Sequence, residues 1–256
     1  MLAHQSYGKG RPVVLIHAFP LSSQMWERGA RDLAKTRRVI LPDLPGFGKS
    51  PRQSKPSIPR MAQEVAELLD RLKIEEPVFM GGLSMGGYVT FEFLRQFPEK
   101  VQALGLFSTR AAADTPEVRE RRIQNIQKIQ SEGLPAFVDK AVANLLGKTT
   151  LQSKPLVVRE VKEMILANAP EGITDALLAM AERRDSTDLL SSIRYPTLVV
   201  AAEEDSFVPV EEAELFAKKI PSAEFHMMKR VGHLTNLEDP SGFQSLLERF
   251  LKTSMI

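Results

Sequence analysis

The sequence predicts an α/β protein with a mostly parallel central sheet, flanking helices and a helical insertion between two strands. Short apolar runs bounded by turn residues recur along the chain, and segments with helical spacing separate them. One long stretch, residues 110–192, contains helical segments but no convincing strand. A chain of 256 residues with 43% hydrophobic and 26% charged residues has room for one such domain with an insertion.

Six apolar runs are predicted to be the buried strands. Strands covered on both faces show continuous apolar runs rather than alternation, which favours a parallel sheet built from βαβ units. The runs are residues 13–17, 38–41, 77–80, 101–107, 196–202 and 223–228. A shorter segment, residues 3–7, alternates and is predicted to be an edge strand.

Helices are predicted between these strands. Residues 60–73 show the pattern best, because their apolar side chains recur at near-helical spacing. Pro98 is predicted to stop one helix, and Pro240 occupies the first turn of the last one. The predicted helices are residues 23–35, 60–73, 88–97, 210–219 and 240–251.

The insertion divides the predicted fold into two parts. Residues 1–109 and 193–256 form the α/β core, and residues 110–192 form a helical cap. Four helices are predicted in the cap, at residues 116–130, 135–146, 155–167 and 174–184, with proline or glycine at the breaks.

The composition excludes several classes of chemistry. The chain has no cysteine, which excludes disulfides, thiolate metal sites and a cysteine nucleophile. The net charge of +2 gives no sign of a nucleic-acid or polybasic membrane surface. No apolar run approaches the ~18 residues that span a bilayer, and no apolar leader is visible. We therefore expect a cytoplasmic protein that acts on a small molecule without a metal or another cofactor.

Residues 81–87, GGLSMGG, carry the strongest functional signal. Residues 82–86 match the pattern G-x-S-x-G and lie between a predicted strand and a predicted helix. In this turn the serine adopts a strained conformation, and neighbouring backbone passes too close for side chains on the two glycines. Ser84 is therefore predicted to be a nucleophile at the N-terminus of a helix. The alternative is a glycine-rich turn that only packs closely.

A serine nucleophile needs a general base, and His233 is the best placed of four histidines. It lies in a loop after the last predicted strand, where α/β sheets build their sites. His4 is near the N-terminus, and His226 lies inside the last strand. His17 ends the first strong strand and is interpreted as bracing its loop.

The acid that orients the base is expected just after the fifth buried strand, where three acidic residues are adjacent. Asp205 is preferred because it directly precedes the segment that begins the next helix. Glu203 and Glu204 remain alternatives, and the three acids together also fit a solvated loop. The order Ser84, Asp205, His233 is the chain order expected of this type of triad.

Two backbone amides are needed to bind the oxyanion of the transition state. One is predicted from Met85, the residue after the nucleophile. The other is predicted from Phe19, in the loop that follows the first strong strand.

With these residues placed, the chain resembles the α/β-hydrolase fold superfamily over essentially its whole length. The segments LIHAFPLSSQMWE, ILPDLPGFGKS, GGLSMGG, AEEDSFVP and GHLTNLEDP occur in the family's order and spacing. The chain is most similar to small bacterial carboxylesterases and 3-oxoadipate enol-lactonase-like serine hydrolases. The resemblance implies the triad Ser84, Asp205 and His233, the oxyanion amides of Phe19 and Met85, and a helical cap.

The resemblance also implies a reaction class. A serine at residue 84 argues against haloalkane dehalogenases and epoxide hydrolases, which have aspartate there. Cleavage of carboxylic esters or lactones is expected through an acyl-enzyme. The alternatives are a C–C bond hydrolase or a perhydrolase with the same triad, and a small-ligand-binding protein on this fold.

Three features depart from the family pattern, of which Ala202, where glycine is frequent after the strand, is the smallest. Ala18 stands where glycine usually follows the histidine, and its methyl group is expected to restrict how the oxyanion loop folds. The family's first antiparallel strand is expected to be missing or displaced, because little sequence precedes residues 13–17.

The substrate pocket is expected between the GGLSMGG turn and the cap. Each candidate wall is equally compatible with core packing. The candidates are Phe19, Phe137, Leu145, Leu146, Phe207, Val208 and Leu234. A substrate carboxylate is a weaker possibility, for which Arg110, Arg183 and Arg184 are the candidate partners.

Overall fold

The computed structural model describes residues 1–254, which fold around one seven-stranded sheet. The strand order is β1-β3-β2-β4-β5-β6-β7. Strand β1 pairs antiparallel with β3, and all other neighbours are parallel. The strands are β1 (His4–Tyr7), β2 (Pro12–Ile16), β3 (Arg38–Pro42), β4 (Val78–Leu83), β5 (Val101–Phe107), β6 (Thr197–Ala202) and β7 (Ala223–Met228). The predicted α/β class with a mostly parallel sheet is confirmed.

At least one α-helix joins each pair of consecutive strands from β2 to β7, and β1 connects directly to β2. A short 3₁₀ turn, Ser23–Trp26, precedes α1, so the predicted helix 23–35 consists of two pieces. The α-helices are α1 (Glu27–Leu33), α2 (Ile58–Arg71), α3 (Met85–Gln96), α4 (Pro116–Glu132), α5 (Pro135–Leu145), α6 (Lys148–Ser153), α7 (Pro155–Leu166), α8 (Pro170–Ala181), α9 (Val210–Ala217), α10 (Thr235–Glu238) and α11 (Pro240–Ser254).

Local sequence explains where several helices begin. Ser57 caps α2 by accepting a hydrogen bond from the Arg60 amide at 3.3 Å, and Thr115 caps α4 in the same way. Proline occupies the first turn of α4, α5, α7 and α8, where a missing N–H costs nothing. Helix α4 ends at Gly133, which has a φ of 82°.

The core lies on both faces of the sheet. Strands β2, β4 and β6 are buried along their whole length, as parallel strands between helical layers are. The single tryptophan, Trp26, is buried against Phe107 and Phe243, with ring centroids 6.2 and 5.6 Å away. This aromatic cluster joins the segment before α1, strand β5 and the last helix.

Helices α4–α8 follow one another between β5 and β6, within the predicted cap of residues 110–192. Two short helices, α6 and α10, were not predicted, because six and four residues are too few to show a helical period. Within residues 1–254, no helix combines the length and the apolar character needed to cross a membrane.

Candidate active site

Ser84 is the single residue between β4 and α3, and its backbone is strained. Its φ is 56° and its ψ is −114°, an unfavourable conformation for a residue with a side chain. A Cβ atom at Gly82 would lie 2.1 Å from the carbonyl oxygen of Gly86, and one at Gly86 would lie 2.4 Å from that of Ile16. Both glycines are therefore required for the chain to turn so sharply.

Neighbouring groups hold this turn in place. The amide of Ser84 donates to the carbonyl oxygen of Phe107 at 2.9 Å, and the hydroxyl of Thr109 donates to the carbonyl oxygen of Ser84 at 2.8 Å. Because Phe107 ends β5 and Thr109 follows it by two residues, the turn is fixed to the carboxyl edge of the sheet. The side chain of Ser84 is partly exposed there, at the N-terminus of a 12-residue helix.

His233 and Asp205 form a buried pair at the same edge. The Nδ1 atom of His233 lies 2.8 Å from Oδ2 of Asp205, and the two side chains are 3% and 1% exposed. The amides of Phe207 and Val208 donate to Oδ1 of Asp205 at 2.8 and 3.1 Å. Since the carboxylate only accepts, Nδ1 of His233 carries the proton, and Nε2 of the neutral ring is left to accept one.

The neighbouring acids have other partners. Glu203 accepts a hydrogen bond from the amide of Arg230 at 2.8 Å. Glu204 accepts from the amide and the hydroxyl of Thr149 at 2.8 and 2.7 Å. Burial acts to raise the pKa of Glu204, but these hydrogen bonds outweigh it and the pKa lies below its ordinary value. Of the three adjacent acids, the structure brings Asp205 to His233.

The remaining histidines lie elsewhere. His4 is exposed on β1, and His226 on β7 lies 2.5 Å from a carboxylate oxygen of Glu224. His17 is fully buried: its Nδ1 donates to the carbonyl oxygen of Ala18 and its Nε2 accepts from the amide of Leu44, both at 3.0 Å. Burial lowers the pKa of His17, although the Ala18 carbonyl and the charge of Asp43 act in the opposite direction.

The loop after β2 accommodates Ala18 without strain. Ala18 is not among the non-glycine residues with positive φ, so its methyl group imposes no backbone strain. Its amide lies 3.2 Å from Sδ of Met25, and its carbonyl oxygen accepts from the amide of Leu21 at 2.9 Å. Within residues 1–254, the amides of Phe19 and Met85 donate to no protein acceptor. Both remain available to a ligand.

The predicted pocket residues fall into two groups. Phe137 of the cap packs edge-on against Phe19, with ring centroids 6.3 Å apart. The ring of Phe207 lies 4.9 Å from that of His233 and is 44% exposed, and the carbonyl oxygen of Leu145 accepts from the His233 amide at 3.1 Å. Phe207 thus lies against the predicted base, and Phe137 lies against the loop of Phe19. By exposure the two groups are Phe207, which is exposed, and the side chains that are buried like core residues, namely Phe137, Leu145, Leu146, Val208 and Leu234.

The three candidate arginines are already paired with acids. Arg110 lies 3.1 Å from a carboxylate oxygen of Glu212. Arg183 pairs with Asp114. Arg184 pairs in the same way with Glu92. Each of the three thus has an acidic partner within the protein, although Asp114 is shared between Arg183 and Arg122. Their role as partners of a substrate carboxylate stays a prediction.

Two side chains that the sequence did not single out connect the cap to these loops. Asn168, after α7, donates from Nδ2 to the carbonyl oxygen of Pro20 at 2.9 Å and accepts from the amide of Gly48 at 2.9 Å. Glu238 accepts hydrogen bonds around His233 and from Gly147. The signal for Glu238 was its place in GHLTNLEDP, whereas nothing in the sequence marks Asn168.

Comparison with known proteins shows the family to which the chain belongs. The family model described as alpha/beta hydrolase fold matches residues 11–240. A thermophilic esterase from Thermogutta terrifontis, solved with malate bound, superposes with a TM-score of 0.95 at 37% identity, covering 99% of this chain and 93% of that one.

Two curated proteins are similar to this chain over most of its length. A putative carbamate hydrolase RutD from Pseudomonas savastanoi pv. phaseolicola is 29% identical, over 90% of this chain and 89% of the relative. The dihydrolipoyllysine-residue acetyltransferase component of the acetoin cleaving system of Pseudomonas putida is 30% identical over 95% of this chain. The chain spans only 64% of the length of that second relative. By its matched residues and its fold, this chain belongs to the α/β-hydrolase family.

Proposed function

We propose that this hydrolase cleaves carboxylic esters of small, largely apolar molecules through a covalent acyl-enzyme. The observation that carries the proposal is the buried pair of His233 and Asp205, 2.8 Å apart, on loops at the sheet edge that presents the strained Ser84. The similarity to the Thermogutta terrifontis esterase supports an ester as the substrate class. Lactones are cyclic esters and undergo the same chemistry.

The residues have distinct roles in the proposed mechanism. Nε2 of His233 takes the proton of Ser84 as Oγ attacks the ester carbonyl, and the imidazolium is stabilised by Asp205. The amides of Phe19 and Met85 donate to the oxyanion, which is worth about 3 kcal/mol for each donor. The alcohol leaves with the proton from His233, and the ester of Ser84 remains.

Hydrolysis of the acyl-enzyme repeats these steps with water. His233 takes a proton from water, which attacks the acyl carbonyl, and the same two amides bind the second oxyanion. The carboxylic acid leaves as Ser84 recovers its proton. Phe137, Leu145 and Phe207 contribute the apolar surroundings of the acyl group in this proposal.

The test compares Ser84→Ala with the unaltered protein on p-nitrophenyl esters of short and long acids. We expect turnover to fall more than about a thousandfold, as loss of a serine nucleophile does in other hydrolases. A fluorophosphonate probe is expected to label the peptide that contains Ser84, as identified by mass spectrometry. Ser131→Ala, on the exposed face of α4, is the matched control and should keep full activity.

The possible outcomes separate the alternatives. Turnover retained by folded Ser84→Ala would refute the proposal. If the folded, unaltered protein neither reacts with the probe nor cleaves any ester, a ligand-binding protein is the better interpretation. Labelling without ester turnover would favour a C–C bond hydrolase or a perhydrolase with the same triad.

A further inference from the structure

Glu238 is a buried carboxylate whose partners all lie beside His233 or in the cap. The residue is 1% exposed. Its Oε2 atom accepts from the amides of Gly147 and Gly232, both at 2.9 Å, and its Oε1 atom accepts from the amide of Leu234 at 3.1 Å. Gly232 and Leu234 are the two neighbours of His233 in the chain. One side chain therefore fixes the backbone on both sides of the histidine.

The cap completes this arrangement from the other side. The carbonyl oxygen of Leu145 accepts from the amide of His233 itself, at 3.1 Å. A Cβ atom at Gly232 would lie 2.1 Å from the backbone nitrogen of Gly147, so the two chains touch through their backbones. Lys154 adds a hydrogen bond from Nζ to the carbonyl oxygen of Glu238 at 2.5 Å. The loop of His233 is thus held between Glu238 and the cap.

Asp205 by itself does not determine where the imidazole ring lies. It binds Nδ1 at 2.8 Å, and the ring of Phe207 packs beside the imidazole, but neither contact fixes the backbone from which the imidazole extends. Transfer of a proton from Ser84 to Nε2 requires the ring at hydrogen-bonding distance, and small displacements from such a geometry cost large factors in rate. The backbone of residues 232–234 must supply the missing restraint.

We propose that Glu238 is a positioning residue for His233, which it holds at the distance and angle that proton transfer from Ser84 requires. The proposal rests on the proposed function. Burying a carboxylate is unfavourable unless it is fully hydrogen-bonded, and here that requirement is met by the amides of the loop and the cap alone. The side chain thus makes the position of the cap and that of the catalytic histidine depend on each other.

The test is Glu238→Gln, which keeps the shape of the side chain but replaces one accepting oxygen with an NH₂ group. At least one amide of Gly147, Gly232 or Leu234 then faces a donor, and the loop shifts. We expect kcat to fall about 10- to 100-fold while KM changes by less than about twofold. The rate of fluorophosphonate labelling should fall by the same factor as kcat, because it needs the same base.

The matched control is Glu204→Gln. It makes the same chemical change at a side chain that is hydrogen-bonded to Thr149 of the cap, two residues after Gly147. Glu204 accepts from both the amide and the hydroxyl of Thr149. A glutamine can accept from that amide and donate to the hydroxyl oxygen, so its hydrogen bonds survive. We expect its kcat to stay within about twofold of the unaltered enzyme.

Three results would overturn the proposal. The first is that folded Glu238→Gln keeps both kcat and KM. The second is that it keeps kcat while KM rises, and the third is that the Glu204→Gln control loses as much kcat as Glu238→Gln. If Glu238→Gln does not fold, Glu238→Asp replaces it, with both oxygens kept and the reach shortened, and the same criteria apply. Loss of activity in Ser84→Ala is established first, so that failure of the proposed function is recognised separately.

Discussion

Replacement of Asn168 by alanine tests whether the cap supports the loop that carries Phe19. The side chain is 5% exposed and donates from Nδ2 to the carbonyl oxygens of Pro20 and Met164, at 2.9 and 3.1 Å. Its Oδ1 atom accepts from the amide of Gly48 at 2.9 Å. Alanine removes all three bonds, two of which join loops of the core to the cap.

The magnitude follows from the groups left behind. A buried polar group without a partner costs about 1–3 kcal/mol, and the Gly48 amide and the Pro20 carbonyl both lose theirs. Because water can enter part of the vacated space, we expect a loss of about 3 kcal/mol in the free energy of unfolding. For a chain of this size, that corresponds to a decrease in Tm of roughly 6–12 °C.

Catalysis should change as well, because Pro20 follows the predicted oxyanion donor, Phe19. Full loss of one donor costs about 3 kcal/mol in the activation free energy, and a displaced donor costs a part of this. We expect kcat on p-nitrophenyl butyrate to fall about three- to thirtyfold, with KM nearly unchanged. Calorimetry gives Tm, and steady-state kinetics at a temperature where both proteins are folded gives kcat.

The control is Asn125→Ala, a half-buried position on α4 of the cap. It removes the same atoms within the cap, and we expect Tm and kcat to change little. The reasoning is refuted if Asn168→Ala has the Tm of the unaltered protein. A large loss of Tm with unchanged kcat would show that Asn168 supports the fold but not the oxyanion loop.

Two further predictions concern a buried histidine and the sharp turn. The pKa of His17 is lowered in the folded protein, so the unfolded chain binds its proton first as the pH falls below about 6.5, and stability is lost by up to about 1.4 kcal/mol for each pH unit. Urea unfolding between pH 7.5 and pH 5.5 should show this slope, and an equal slope in His17→Gln would contradict it. Gly82→Ala places a Cβ 2.1 Å from the Gly86 carbonyl oxygen and should abolish fluorophosphonate labelling. The control Gly29→Ala meets only the flexible side chain of Gln244, at 2.8 Å, and should label normally.

The sequence was sufficient for the sheet and for most of the helices, because these depend on local periodicity. The strand predicted at residues 223–228 has those bounds, and the helix predicted at 60–73 is observed at Ile58–Arg71. The helix predicted to start at residue 88 begins at Met85, since the glycines of the turn run directly into it. Local patterns cannot show that a glycine-rich segment is already helical.

The site was predictable only where function imposes a sequence pattern. Ser84, Asp205 and His233 each follow a strand at the same edge of a parallel sheet, which is why their chain order predicted them as candidates from the sequence alone. Asn168 and Glu238 act through hydrogen bonds to backbone amides and carbonyls, 148 residues away at Pro20 and 91 residues away at Gly147. Nearly every residue type has a backbone amide and a carbonyl. The residue types along the chain therefore do not show which residues make such contacts.

The contacts at residues 147, 149 and 168 also bear on how this enzyme can be re-engineered. A cap transplanted from a relative to introduce a new pocket would bring new apolar walls, but it would also replace the partners of Glu238, Glu204 and Pro20. These partners contact the loops that carry His233, Asp205 and Phe19. We therefore expect that the cap cannot be exchanged by itself, and that a functional chimera has to keep the residues at positions 147, 149 and 168 along with the new pocket.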